Sequence, residues 1–360
     1  MPHIFMDIKL YTTNEVDNIK TSIPPSYLSF FMSNPFLYEE APFLLRAEDD
    51  GKMLGSVYSF PLEIATRSGE IYSVCAGSNL TVEPESRGMG LAKKMTLRRI
   101  ELTKDKIAIA SGLSGMSLPL FKKLGFATFM QRRNILLKNS RPVVEMVFKG
   151  GFILKLFTAI ANIFVAIQVR ILRFECERAM KGFKVEEVNY VPAEVPDIVA
   201  QDPALYRENH TRVWFEWVLK GGFVNDDRSM QHLFVVRKNG VVVGFYMTKE
   251  RFHKQASSRG FKNIILGSVT EWGVKEGCDL KVEKLLLSAM LSFGRHVDAV
   301  ELCSADDIIN KYFKKRFLIP VGESNFAVKA HEGSPLAKQP EYMKQCNWRI
   351  RPAASDNSFD

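Results

Sequence analysis

The sequence predicts an α+β protein of two similar domains, each a mixed, mostly antiparallel sheet flanked by helices. Three observations predict it: a tight hairpin near residue 50, a glycine-rich junction between a strand and a helix near residue 88, and a second hairpin with matching downstream words about 190 residues later. A chain of 360 residues, 46% hydrophobic and 25% charged, is long enough for two such cores.

The first hairpin is Phe43 to Ala47 and Met53 to Phe60, joined across Glu48-Asp-Asp-Gly-Lys52, because Asp-Gly between apolar runs favours a tight turn. Ile71 to Val82 reads as the next strand, with Gly77 expected at a bulge. After Arg87, the positions Leu91, Met95, Leu97, Arg98 and Leu102 fit an amphipathic helix. The segment Arg87-Gly88-Met89-Gly90-Leu91-Ala92 thus lies between strand and helix. Glycines there let backbone approach a ligand, and the free N–H groups of a first helical turn attract phosphate. The spacing is neither a Walker loop, which needs G-x-x-x-x-G-K-[ST], nor a dinucleotide fingerprint with three spaced glycines.

Val82-x-Pro84-x-x-Arg87-Gly88-x-Gly90-x-Ala92 resembles the acyl-CoA motif of the GCN5-related N-acetyltransferases (GNAT), R/Q-x-x-G-x-G/A after V-x-P. Downstream, Ser114-Gly-Met-Ser-Leu-Pro-Leu-Phe121-Lys-Lys-Leu-Gly-Phe126 resembles that family's N-x-x-A-x-x-L-Y-x-K-x-G-F segment. The resemblance implies that Leu80, Thr81, Val82, Arg87 to Ala92, Ser114 and Phe121 contact acetyl-CoA or another acyl-CoA. It also implies direct attack of an amine on the thioester, with backbone near Ser78 to Leu80 holding the oxyanion. Two departures matter: Ser114 stands at the usual Asn and Phe121 at the usual Tyr, which often protonates the departing thiolate. Phenylalanine has no proton to give, so water or another hydroxyl does that work, the thiolate leaves unassisted, or the site no longer catalyses. Glu70 is the expected base, with Tyr72 beside it and Glu63 behind.

In the second half, Leu233 to Tyr246 repeats the hairpin with Asn239-Gly240 as its turn, and Phe313-Lys-Lys-Arg-Phe-Leu318 echoes Phe121-Lys-Lys-Leu-Gly-Phe126. Ile264 to Val269 is the equivalent strand and Lys281 to Phe293 the equivalent helix, but Lys275-Glu-Gly-Cys-Asp279 lacks the glycine order. The expected layout is an N-terminal domain over 1–142, a linking helix within 143–180, a degenerate second domain over 181–330 and an irregular tail over 331–360. Tandem folds of this kind also occur in the related Fem-type aminoacyl transferases.

The linker, Gly151 to Arg170, is apolar nearly all round, broken by Lys155, Asn162 and Gln168. Those breaks argue against a bilayer span. Burial between the two halves is the leading expectation; peripheral membrane contact through 152–169, with Lys149, Lys155, Arg170 and Arg173 near acidic headgroups, is the second.

Charge and composition narrow the partners. A net charge of +9 favours anionic ligands. Nucleic acid is not expected, since the basic residues are spread along the chain without an aromatic-basic motif. The five cysteines form no C-x-x-C pair and the six histidines show no metal spacing, so no metal site and no disulfide framework are expected. The opening ten residues lack a secretory pattern, which gives a cytoplasmic expectation.

Val213-Trp-Phe-Glu-Trp217, with Tyr206 and Arg212, reads as core or as a sugar-stacking platform. Cys346-Asn-Trp348-Arg-Ile-Arg351 loosely resembles the ends of acetyltransferase-like proteins of bacterial surface-polysaccharide synthesis. The functional expectation is therefore an acyl-CoA-dependent N-acetyltransferase acting on an amine, an amino sugar first. The alternative is a membrane-surface-associated binding protein with a vestigial cofactor site.

Overall fold

The structure, a computed structural model, describes residues 7–19, 25–113, 115, 117–147, 151–220, 231–253, 263–316 and 319–352. In chain order, β1 is Asp7–Thr12, α1 Val16–Ile19, α2 Pro25–Met32, β2 Pro42–Asp49, β3 Lys52–Thr66 and β4 Ile71–Val82. Then come α3 Leu91–Leu102, β5 Ile107–Ala110, α4 Ser117–Lys123, β6 Ala127–Leu137, α5 Arg141–Val147 and α6 Gly151–Ala179. The second half continues with β7 Lys184–Val188, α7 Glu194–Ala200, β8 Tyr206–Glu208, α8 Arg212–Lys220, β9 Gln231–Lys238 and β10 Val241–His253. It closes with β11 Ile264–Val274, α9 Val282–Ser292, β12 Ala299–Ser304, α10 Asp307–Lys314, β13 Ile319–Ala330 and β14 Trp348–Arg349.

Two compact units result: unit 1 is 1–130, 203–217 and 324–360, and unit 2 is 131–202 and 218–323. They interleave in the chain, where contiguous domains were expected. In unit 1 the strand order is β1-β2-β3-β4-β5-β13, antiparallel except for the β4/β5 pair. β8 pairs with the far end of β3, and β14 with β8. In unit 2 the order is β6-β12-β11-β10-β9-β7, again with one parallel pair, β11/β12.

The local chemistry of the two units matches. Asp50 and Gly51 have φ of 45° and 77°, Asn239 and Gly240 have 51° and 81°, so both hairpins turn on two left-handed residues, whose twist suits the flanking strands. In each unit a long strand then leads through a loop into a helix and on to its parallel neighbour. The starts of α3 and α9, of β5 and β12, and of α4 and α10 all lie about 190 positions apart. Each unit is thus a GNAT-like sheet and helix arrangement, as the sequence predicts.

Unit 1 has a core between α3 and the sheet, where Leu45, Ala47, Leu54, Val57, Leu91 and Met95 pack together. A second cluster holds Cys75, Ile100, Ala108, Ala110, Phe121, Leu124, Phe126 and Ala327. Unit 2 centres on α9 and β10 to β12, with Trp272, Leu285, Leu286, Met290 and Phe313 among its buried residues. Leu172 and Met180 at the end of α6 join that cluster.

Three expectations change. The tail through residue 352 is an ordered part of unit 1: Trp348 stacks on Tyr206 at 5.2 Å between ring centroids, lies 5.7 Å from Phe326 and donates Nε1–H to the Tyr342 carbonyl at 2.7 Å. Residues 353–360, expected to be irregular, lie outside the described residues. The sugar-platform reading of 213–217 fails, because Trp214, Phe215, Trp217 and Tyr206 are all buried. An amphipathic stripe at helical spacing has found the core. Finally, α6 is buried along one stripe only, against unit 2 itself, rather than all round.

Candidate functional site

The site is built where β4 meets α3. Cross-strand partners run Tyr58↔Ser78 and Ser56↔Thr81, so two residues of β4, Asn79 and Leu80, oppose the single residue Val57. That is a β-bulge, and Asn79 takes the left-handed conformation it needs, with φ 48°. The bulge was expected at Gly77, which instead pairs regularly with Ser59. Glycine is required there for space: a Cβ would lie 1.3 Å from Nη1 of Arg99.

Next to the bulge the sheet opens. β4 and β5 pair at only two positions, Cys75↔Ala108 and Ala76↔Ile109, and then part. Beyond Ala76, β4 makes no further pair with β5 among the described residues. Unpaired strand backbone is a ready partner for an extended amide-bearing chain, and its N–H groups can hold a developing oxyanion.

Past β4, a single 3-10 turn over Pro84–Ser86 leads into the glycine loop. Gly88 and Gly90 have φ of 88° and 77°, with nothing within 4 Å of either missing Cβ. These glycines serve backbone shape and leave open space in front of the helix. Gly90 is the N-cap of α3 and supplies no side-chain cap, so the first-turn N–H groups of α3 point at that space. Helix dipole and N–H groups together favour a pyrophosphate.

The predicted cofactor residues divide by what they touch. Arg87, Gly88 and Gly90 are exposed at the helix start, and Arg87 donates Nε–H to the Val82 carbonyl at 3.3 Å. Leu80, Val82 and Met89 pack partly against the α3 core, and Leu91 is buried in it. Thr81 is paired through its hydroxyl with Ser56 at 3.1 Å, while Ala92 sits half-buried in the first turn. Phe121 is a core side chain, 4.7 Å between ring centroids from Phe126. Its helix stops as the sequence words imply: Gly125 takes φ 78°, Phe126 N–H reaches the Phe121 carbonyl and Gly125 N–H the Lys122 carbonyl, the two bonds of a Schellman stop. Ser114 lies outside the described residues.

The proposed base and its neighbours are misplaced. Glu70 sits in the turn at the start of β4, eight residues from Ser78, or about 26 Å along a strand at ~3.3 Å per residue. A base must reach its proton within hydrogen-bond range or through one water, a distance Glu70 does not bridge from its turn. Tyr72 is about 20 Å from Ser78 by the same measure, is buried, and its hydroxyl accepts from Gln339 Nε2 at 2.9 Å. Burial pushes its phenol up. Glu63, on β3, accepts from Asn209 Nδ2 at 2.7 Å. A shallow groove lined by Thr66, Arg67, Leu205, Tyr206 and Gln339 also lies at this far end of β3 and β4.

What sequence reading missed is Tyr58. Counting register from the Asp50-Gly51 turn places it directly across from Ser78, beside the bulge, with Leu44 on its other side. Arg46 and Ser56 follow in the next row of the same face. Tyr58 is half-buried, and that burial holds its phenol above the usual range and so protonated at neutral pH. Among the described residues no group of three or more His, Cys, Asp or Glu side chains is placed to hold a metal ion.

A bulged strand, a parted neighbour and a glycine-started helix thus meet at one place in unit 1. Residues 34–129 match the sequence model of the Acetyltransferase (GNAT) domain. The matched stretch lies within unit 1 and takes in the bulge and the glycine loop. No curated protein matches the chain in sequence. Among solved structures, Saccharomyces cerevisiae N-myristoyltransferase with bound myristoyl-CoA is similar at a TM-score of 0.55 and 12% identity, over 91% of this chain and 81% of that one. A GCN5-related N-acetyltransferase from Anabaena variabilis is similar at 0.51 and 9%, over 90% and 72%. A probable N-acyltransferase from Enterococcus faecalis is similar at 0.51 and 11%, over the same shares. At these identities the likeness is one of fold.

Proposed function

We propose that unit 1 transfers an acetyl group from acetyl-CoA to a primary amine by direct attack, with an amino sugar, free or nucleotide-linked, as the acceptor. The observation that carries the reading is the Asn79–Leu80 bulge beside the parted β4/β5 edge, with the Gly88 and Gly90 loop one turn further on. Pyrophosphate binds the first turn of α3, the pantetheine arm runs along the open edge of β4, and the thioester carbonyl meets backbone N–H at the bulge. The amine nitrogen forms its bond to the carbonyl carbon and the carbon–sulfur bond breaks. Tyr58 gives its proton to the departing thiolate and recovers one, through water, from the nitrogen that has become the amide; its raised phenol suits this role, and Phe121 has no hydroxyl to play it. The choice of an amino sugar rests on the net charge of +9, which favours anionic nucleotide-linked acceptors.

Calorimetric titration of acetyl-CoA and CoA into the protein tests this reading, with Gly90→Glu to repel the pyrophosphate and Gly90→Asn as a control that tolerates positive φ. Binding to the parent and to Gly90→Asn, lost in Gly90→Glu, is expected. Absence of binding to the folded parent overturns the reading. Thiol release with a panel of amino sugars then tests the acceptor.

A further inference from the structure

We infer that α6 docks unit 2 flat onto a lipid bilayer bearing anionic headgroups. The observation is a continuous apolar face that the described residues of unit 2 leave exposed. Phe152, Ile163, Phe164, Ile167, Ile171 and Phe174 are all exposed, with Phe152, Phe164 and Phe174 at 78%, 69% and 70%. At 100° per residue most of them fall on the side of the helix opposite Val165 and Leu172, the two buried residues. The face runs about 33 Å from Phe152 to Phe174 at ~1.5 Å per residue. An exposed apolar patch of this extent marks an interaction surface.

The helix has the length and composition to cross a bilayer, but its attachments rule that out. Ser140 N–H donates to Asn162 Oδ1 at 2.8 Å, Ser140 Oγ donates to the Thr158 carbonyl at 3.2 Å, and Gln168 Nε2 donates to the Arg316 carbonyl at 3.1 Å. Near its end, Glu175 accepts from Lys284, Tyr312 and Arg316. Spanning would tear these groups from unit 2 and strand them in hydrocarbon. A helix fastened along one side, with the other side apolar, lies in the interface.

Charge selects the occupant. From 151 to 174 the helix carries no Asp or Glu, while Lys155, Arg170 and Arg173 fall along one edge of the apolar face. In the interface these cations meet anionic headgroups, and the attraction falls as salt screens it. A second copy of the same face would bring cation against cation, with no acid on this stretch to receive them. Lys149, which would extend the flank, lies outside the described residues.

The test is sedimentation of the full chain with vesicles of phosphatidylcholine, and of phosphatidylcholine with phosphatidylglycerol, at low and high salt. Expected is strong partition onto the anionic vesicles, weakened by salt. Phe164→Glu with Ile167→Glu should lower it at least about tenfold, and Lys155→Glu with Arg170→Glu should reduce it to the level on neutral vesicles. Unchanged circular dichroism and acetyl-CoA titration in the variants show that they fold. No partition at low salt, or equal partition by the Phe164→Glu, Ile167→Glu protein, overturns the inference. So does a lipid-free dimer in ultracentrifugation that this variant dissolves, since it assigns the face to a second copy. The inference stands apart from acyl transfer: absence of acetyl-CoA binding would leave the vesicle result intact.

Discussion

Arg99 occupies the space that a side chain on residue 77 would need. Its Nη1 lies 1.3 Å from the Cβ position of Gly77, and the arginine is 1% exposed, with Nε and Nη2 lacking a hydrogen-bond partner among the described residues. A long, polar side chain has thus been folded from α3 against β4, directly before the strand bulges. Glycine at 77 and arginine at 99 are two halves of one packing solution.

That relationship makes a paired prediction. Gly77→Ala should destabilise unit 1 by about 1–3 kcal/mol, because a buried guanidinium has nowhere to swing. Arg99→Met removes the obstruction and two unpartnered donors. The double variant should then be more stable than the sum of the singles by on the order of 1 kcal/mol or more, measured by denaturant unfolding. Additive losses would show that the two residues act separately.

The placement of Tyr58 and Glu70 separates their roles kinetically. Tyr58→Phe should lower kcat on the order of 10²-fold with little change in KM, as loss of a proton donor does. Glu70→Gln, made at the far turn of the hairpin, should stay within about twofold of the parent. The reverse pattern would return the chemistry to the start of β4.

Acid should loosen unit 2 through Glu175. The Arg316 guanidinium and the Lys284 ammonium hold its carboxyl down to about 2, from an ordinary 4.5. A depressed carboxyl contributes stability above the unfolded value and loses it as pH falls, here from about 4.5 toward 2. The contribution at neutral pH is on the order of 2 kcal/mol. Stability curves against pH should therefore slope downward below 4.5 in the parent and flatten over that window in Glu175→Gln.

The tail should prove structural. Trp348→Ala removes a ring held among Phe129, Phe326 and Tyr206, at 6.1, 5.7 and 5.2 Å between centroids. A loss of about 3–5 kcal/mol is expected, read as a lowered unfolding midpoint. Full stability in the variant would mean that the tail merely rests on unit 1.

What was written in local sequence was whatever local physics decides. Asp50-Gly51 and Asn239-Gly240 force left-handed turns, so both hairpins could be read in advance. Gly88 and Gly90 announce a backbone open to a ligand, and Leu124-Gly125-Phe126 announces a helix stop. The repeat at about 190 residues carried the second sheet with it.

Long-range geometry decided the rest. Which residue bulges depended on the register between β3 and β4 and on Arg99 filling the space at Gly77, so the bulge moved to Asn79 and Leu80. The same register put Tyr58 beside the bulge and left Glu70 at the far end of a long strand, a separation no motif records. Whether α6 was buried or bare depended on how much apolar surface unit 2 had left to cover it. Sequence alone determined that this helix seeks an apolar partner; only the tertiary structure decided that the described residues leave that face exposed and bury Val165 and Leu172 on the other.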